Sequence, residues 1–174
     1  MRAASAVDLP LVVELRLALI REHGDNPVYR RLRADAPERA RRLFAAQLAS
    51  TSERIFIAED DGRAVGIVRC VETVGSPLLD PARYAYVSSA YVRPDARRRG
   101  TLRALVGAAR AWCDERGLSE LRLHSVAGDA GSNAAWDALG FTIVEHMRIG
   151  SARATRAAAA SGAHAGAETR DAGR

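Results

Sequence analysis

The stretch RIFIAEDDGRAVGIVRCVE constrains the fold of this chain more than any other, because two apolar runs meet at Asp61-Gly62. A two-residue hairpin turn needs positive φ at both central positions, and Asp-Gly supplies them at low steric cost. The pattern predicts strands at 54–60 and 63–72, joined as an antiparallel pair. A sheet is therefore required, and the rest of the chain must cover its faces.

Helical and strand periodicities alternate around that hairpin. Residues 2–6 read as a short first strand. Asp8 stands at an N-cap position with Pro10 in the first turn, opening LPLVVELRLALIREHG. Leu11, Leu15 and Leu19, with Val12 and Ile20, share one face, and Gly24 stops the helix. A second helix at 36–50 starts near Pro37 and presents Leu43, Phe44 and Leu48. A loop at 73–83 precedes a strand at 84–94. A helix at 97–116 ends at Gly117, a strand follows at 119–126, a helix at 130–140 closes at Gly140, and 141–149 reads as the last strand. The order β-α-α-β-β-β-α-β-α-β describes an α/β chain with a mixed sheet and helices on its faces.

Length and charge narrow the function. At 174 residues the chain suits one domain, expected over 1–149. Residues 150–174 carry many alanines and no large apolar side chain, so a disordered tail is expected. All 26 basic residues are arginine, against 21 acids, a net charge of +5. Four arginines and two acids of that excess fall within 151–174, which leaves +3 for the remainder. So small an excess suits an anionic small molecule, and nucleic acid is not expected as a partner. Interleaved acids and an aromatic content of 5% point the same way; a solvated helix face accounts for Arg30, Arg31, Arg33, Arg39, Arg41 and Arg42. Cys70 and Cys113 lack metal or disulfide spacing, and no metal is expected. Without a stretch of roughly 20 apolar residues or an export signal, a cytoplasmic protein is expected, with no membrane partner.

The junction VRPDARRRGTLRAL, residues 92–105, carries the chemistry. A strand running into a helix exposes unpaired N–H groups at the positive end of the helix dipole. Such a turn accepts phosphate, glycine lets a ligand approach the backbone, and neighbouring arginines add charge-assisted contacts. Cations at a helix N-terminus conflict with the dipole by a few tenths of a kcal/mol, a conflict that a bound anion removes. The stretch is neither a Walker A loop nor a GxGxxG fingerprint.

With Val92, Pro94, Arg97 and Gly100 opening a helix, this junction resembles the signature of the GNAT superfamily of acetyl-CoA-dependent N-acetyltransferases. It departs from that signature at Arg98 and Leu102. A second landmark, Trp136-x-x-Leu139-Gly140-Phe141, is also similar to the family's pattern. The resemblance implies a mostly antiparallel sheet, splayed at the strand before the 97–116 helix. It implies acetyl-CoA as co-substrate and an amine, on a small molecule or a protein, as acceptor, in a monomer or homodimer. Ala90, Tyr91 and Val92 would pair with the pantetheine arm like an added strand. Arg97, Arg98, Arg99, Gly100, Thr101, Leu102 and Arg103 would surround the pyrophosphate, with Ser132, Asn133 and Trp136 as further coenzyme contacts. The Val92 N–H would polarise the thioester carbonyl. The spacing Val87-x-x-Ala90-x-Val92 breaks strict alternation and predicts a β-bulge at Ser88-Ser89.

The proton carriers are less familiar. Where many relatives place a Glu on the bulged strand, this chain has Tyr86, Ser88 and Ser89. Ser88 or Ser89 could hold a relaying water, Glu72 is the nearest carboxylate along the sheet, and His124 could face the splayed strands. The family's usual acid is a Tyr where this chain has Trp136, whose indole has no titratable proton. Asp129 stands where relatives often carry an Asn. Those departures leave a non-catalytic coenzyme A-binding module as the alternative to an enzyme.

Overall fold

The computed structural model describes residues 1–152; most of the expected tail lies outside them. Met1–Phe141 form one compact unit, and the described residues from Thr142 onward fall outside it. In that unit, five strands lie in the order β1 (Arg2–Ala3), β2 (Glu53–Asp60), β3 (Arg63–Val74), β4 (Arg83–Val92), β5 (Leu121–Leu123). All neighbours are antiparallel except β4 and β5, which run parallel. The helices are α1 (Leu9–Glu22), α2 (Ala36–Leu48), α3 (Thr101–Glu115) and α4 (Ala130–Asp137).

The hairpin forms as the sequence requires, with Asp61 at φ 47° and Gly62 at φ 75°. Each face of the sheet then buries one apolar layer. On one face Leu105, Ala109, Trp112 and Cys113 of α3 pack on Val68, Cys70, Ala85 and Val87. On the other, Val12 and Leu15 of α1 and Phe44 of α2 pack on Ile55, Ile57, Ile67 and Tyr91. Burying a side chain the size of Leu105 or Leu15 stabilises by roughly 1.5–3 kcal/mol. Asp8 sits at the N-cap of α1, but its carboxylate serves another purpose. It accepts both terminal nitrogens of Arg2, at 2.8 and 2.7 Å, and the Ser5 backbone N–H at 2.8 Å, tying β1 to the start of α1.

Several expectations change. The strand expected at 2–6 is only Arg2–Ala3, and the helix expected at 130–140 ends at Asp137. The helix expected at 97–116 begins at Thr101, because Arg98 (φ 63°) and Gly100 (φ 82°) are left-handed and cannot belong to a right-handed helix. The strand expected at 84–94 ends at Val92, where Pro94 opens a short 3-10 turn. The strand expected at 119–126 is reduced to Leu121–Leu123. The strand expected at 141–149 does not form: residues 142–152 hold no helix or strand, and Ile143, Val144, Met147 and Ile149 are exposed. Alternation gives a strand an apolar face, but a strand also needs ladder hydrogen bonds, and residues 142–152 form none.

Candidate active site

The site begins with an interruption in β4. Against β3, Ile67 pairs with Tyr91 and Arg69 with Ser88, so three steps along β4 match two along β3. Ser89 is the extra residue, left-handed at φ 54° and buried, which puts the expected bulge in place. Its effect is to exchange faces. Before it, Ala85 and Val87 face α3; after it, Ala90 and Val92 do, while Tyr91 joins the α1 core.

The second consequence is a split. Parallel pairing with β5 covers Ala85, Tyr86 and Val87, opposite Leu121, Arg122 and Leu123, and stops there. From Ser88 to Val92 the β5-side edge of β4 has no strand partner among the described residues. On the other side the Arg93 N–H donates to the Val65 carbonyl at 2.8 Å. Antiparallel alternation therefore turns the N–H and C=O of Val92 away from β3, toward the split. The Val92 carbonyl accepts from Arg97 Nε at 3.0 Å.

β4 leads directly into the basic turn. Thr101 Oγ1 donates to the Ala96 carbonyl at 3.1 Å, and the first backbone bond of α3 runs from the Ala104 N–H to the Gly100 carbonyl at 3.0 Å. The amides of Thr101, Leu102 and Arg103 thus open the helix without an intrahelical acceptor. Residues 97–100 are exposed, Leu102 is half-buried, and a Cβ added at Gly100 would meet nothing within 4 Å. The arginines divide their work. Arg97 grips both oxygens of Glu22, at 2.7 and 2.6 Å, besides the Val92 carbonyl. Arg99 lies 3.8 Å from Asp60. Among the described residues no carboxylate pairs with Arg98 or Arg103.

A polar cluster occupies the α1 side of the sheet where the split begins. The Tyr86 hydroxyl lies 2.9 Å from His124 Nδ1, their rings edge to face. Burial raises the Tyr86 phenol above its ordinary value, so the hydroxyl keeps its proton near neutrality. Arg69 donates to Ser88 Oγ at 2.9 Å and to Glu53 Oε2 at 2.6 Å. Arg16, from α1, lies within electrostatic reach of Tyr29, Arg69 and Tyr86. Arg16, Arg69 and Glu53 were not among the candidates from sequence. The signal was present: Arg16 sits four residues after Val12 on the apolar face of α1, and Arg69 interrupts the buried run of β3.

Other candidates lie elsewhere. Glu72 shares the α3 side of β3 with Cys70, two residues earlier, and accepts from both Arg83 and Arg116. Those guanidiniums, Arg116 first, hold its carboxyl below its ordinary value, which makes it a poor proton acceptor. Asp129 caps α4 by accepting from the Ser132 N–H and hydroxyl, at 2.9 and 2.6 Å. Asn133 donates to the Val126 carbonyl at 3.1 Å, and Trp136 packs edge-on against Phe141 at 5.3 Å.

Comparison with known proteins agrees with this geometry. Residues 19–141 match the family described as "Acetyltransferase (GNAT) family". The chain is 29% identical over 106 residues to an aminoglycoside N(6')-acetyltransferase type 1 of Klebsiella aerogenes, covering 61% of this chain and 70% of that one. A GCN5-related N-acetyltransferase of Ralstonia eutropha superposes with a TM-score of 0.71 at 24% identity, over 87% of this chain and 97% of its own. An acetyltransferase of Clostridium acetobutylicum solved with acetyl-CoA gives 0.70 at 18% identity, over 86% and 94%.

Proposed function

The chain belongs to the acetyltransferase (GNAT) family and is an acyltransferase, and on that premise we propose that it moves an acetyl group from acetyl-CoA to a primary amine within the split between β4 and β5. One observation carries the reading: β4 outruns its partner β5 by five residues and delivers its free edge to a helix N-terminus flanked by Arg98 and Arg103, which have no carboxylate partner among the described residues. The free edge at Ala90, Tyr91 and Val92 suits a pantetheine arm, which carries amide groups able to pair like a strand. The open amides of Thr101, Leu102 and Arg103, with Arg98 beside them, suit a pyrophosphate. The small-molecule acceptor of the Klebsiella relative supports a small-molecule amine here.

When bound, acetyl-CoA supplies the acetyl group on its thioester. The Val92 N–H, turned into the split, donates to the carbonyl oxygen as negative charge develops there. A primary amine arrives protonated and must lose a proton before its lone pair attacks the carbonyl carbon. His124 is the acceptor of that proton, directly or through a water on Ser88. The Tyr86 hydroxyl holds the ring by its Nδ1, leaving Nε2 to take the proton. As the C–N bond forms and the C–S bond breaks, Trp136 offers no proton to the departing thiolate, which is protonated from solvent.

Incubation of the purified chain with acetyl-CoA and an amine panel, read by mass spectrometry, tests the reading. Acetylated amine and free coenzyme A in equal amounts are expected. Neither product, with no coenzyme A affinity by calorimetry, overturns it.

A further inference from the structure

The acceptor side of the split carries a cation, Arg16, with no hydrogen-bonded or ion-paired acceptor among the described residues. The carboxylates already placed at the site are each committed elsewhere. Glu53 pairs with Arg69, Glu22 with Arg97, and Asp129 with Ser132 and the N-terminus of α4. Arg69 is satisfied by Glu53 and Ser88. Arg16 is not: among the described residues its guanidinium makes no hydrogen bond and no ion pair. It is nevertheless half-buried, on the helix face that packs against the sheet, with Tyr29, Arg69 and Tyr86 as its electrostatic neighbours. Burial, followed by the like charge of Arg69, disfavours the cation there. The Arg16 nitrogens are met by solvent and, among the described residues, by no protein acceptor, and a planar fork of five donors so placed matches a carboxylate in two-point contact.

We propose that the acceptor is a primary amine that also bears a carboxylate, as an amino acid or a short peptide does, and that Arg16 holds this carboxylate beside the Tyr86–His124 pair. The inference rests on the acetyl-transfer reading and adds the acceptor's class to it. The uncompensated cation of Arg16 attracts the carboxylate and repels a polycation. Tyr29 and Tyr86 lie beside Arg16, and burial keeps the Tyr86 hydroxyl neutral. The amine end then lies toward His124 and the split, and the carboxylate end toward α1.

Acetylation is measured with acetyl-CoA for each common amino acid beside its carboxamide, with kanamycin and spermidine as polycations. At least one amino acid is expected to exceed its carboxamide in kcat/KM by about 10- to 100-fold, the usual worth of a charge-assisted contact. In Arg16→Gln that ratio is expected to fall to near one, and in Arg16→Lys to recover in part. Circular dichroism and coenzyme A binding establish that both variants are folded. Equal turnover of acid and amide, a preference for the polycations, or an unchanged ratio in Arg16→Gln overturns the inference and leaves acetyl transfer standing. Absence of any product from any acceptor, with no binding of coenzyme A, overturns the acetyl-transfer reading and this inference with it.

Discussion

The Tyr86 hydroxyl meets His124 Nδ1 at 2.9 Å across β4 and β5, beside the last pair before the strands part. With Nδ1–H donating to the Tyr86 hydroxyl oxygen, Nε2 is the nitrogen left to take a proton. If His124 takes the amine proton, His124→Gln lowers kcat by about 100-fold, within the usual range for a general base. Tyr86→Phe, which only frees the ring, lowers it by about 10-fold. Steady-state rates at saturating acetyl-CoA check both.

Among the described residues Arg98 and Arg103 have no carboxylate partner, whereas Arg97 is held by Glu22 and the Val92 carbonyl. Arg98→Ala and Arg103→Ala are each expected to weaken coenzyme A binding by about 10-fold, and more steeply at low salt than at high. Titration calorimetry at two ionic strengths reads this out. An affinity independent of both residues would count against the pyrophosphate assignment.

Gly66 has no room for a side chain. A Cβ there would stand 2.9 Å from the Tyr91 carbonyl oxygen and 3.1 Å from Leu105 Cδ1. Backbone cannot yield as a flexible side chain can, so Gly66→Ala must displace β4 just before Val92. A stability loss of about 1–3 kcal/mol is expected in urea unfolding, with a loss of acetyl-CoA turnover larger than that of coenzyme A affinity.

Asp8 predicts the acid limb of stability. Arg2, and secondarily Ser5, hold its carboxyl well below the ordinary range despite burial. A depressed folded value stabilises at every pH above the unfolded value, and that contribution is lost as pH falls from about 4 toward the folded value. Asp8→Asn is expected to cost about 2 kcal/mol at pH 7 and progressively less below pH 4. Urea midpoints for both chains across pH 2–7 check the convergence.

Cys70 is fully buried, its thiol pushed up to about 12 by burial, and Cys113 is buried and raised for the same reason. Neither is expected to react with a thiol reagent at pH 8 in the folded chain, and both are expected to react in denaturant. Rapid labelling of native protein would contradict the packing of α3 on the sheet.

What was legible in the sequence had local causes. Asp61-Gly62 dictated its own turn, the spacing from Val87 to Val92 announced the bulge, and the face of α1 followed from its periodicity. The pattern along the chain starts α3 at residue 97, whereas the left-handed Arg98 and Gly100 delay it to Thr101, where the family resemblance has it. The strand expected at 141–149 failed for a different reason. Periodicity reports a face and is silent about an edge. Arg16 and Arg69 escaped notice because each looks like a stray charge until the sheet brings them together.

Ser89 works like a dropped stitch in β4. Without it, every side chain downstream would change sides: Tyr91 would thrust toward α3, and Val92 would present its backbone in a register that no longer opens outward. The chain therefore uses one supernumerary residue to let a single ribbon belong to a closed fabric at one end and a frayed hem at the other. That hem is where chemistry has room to happen.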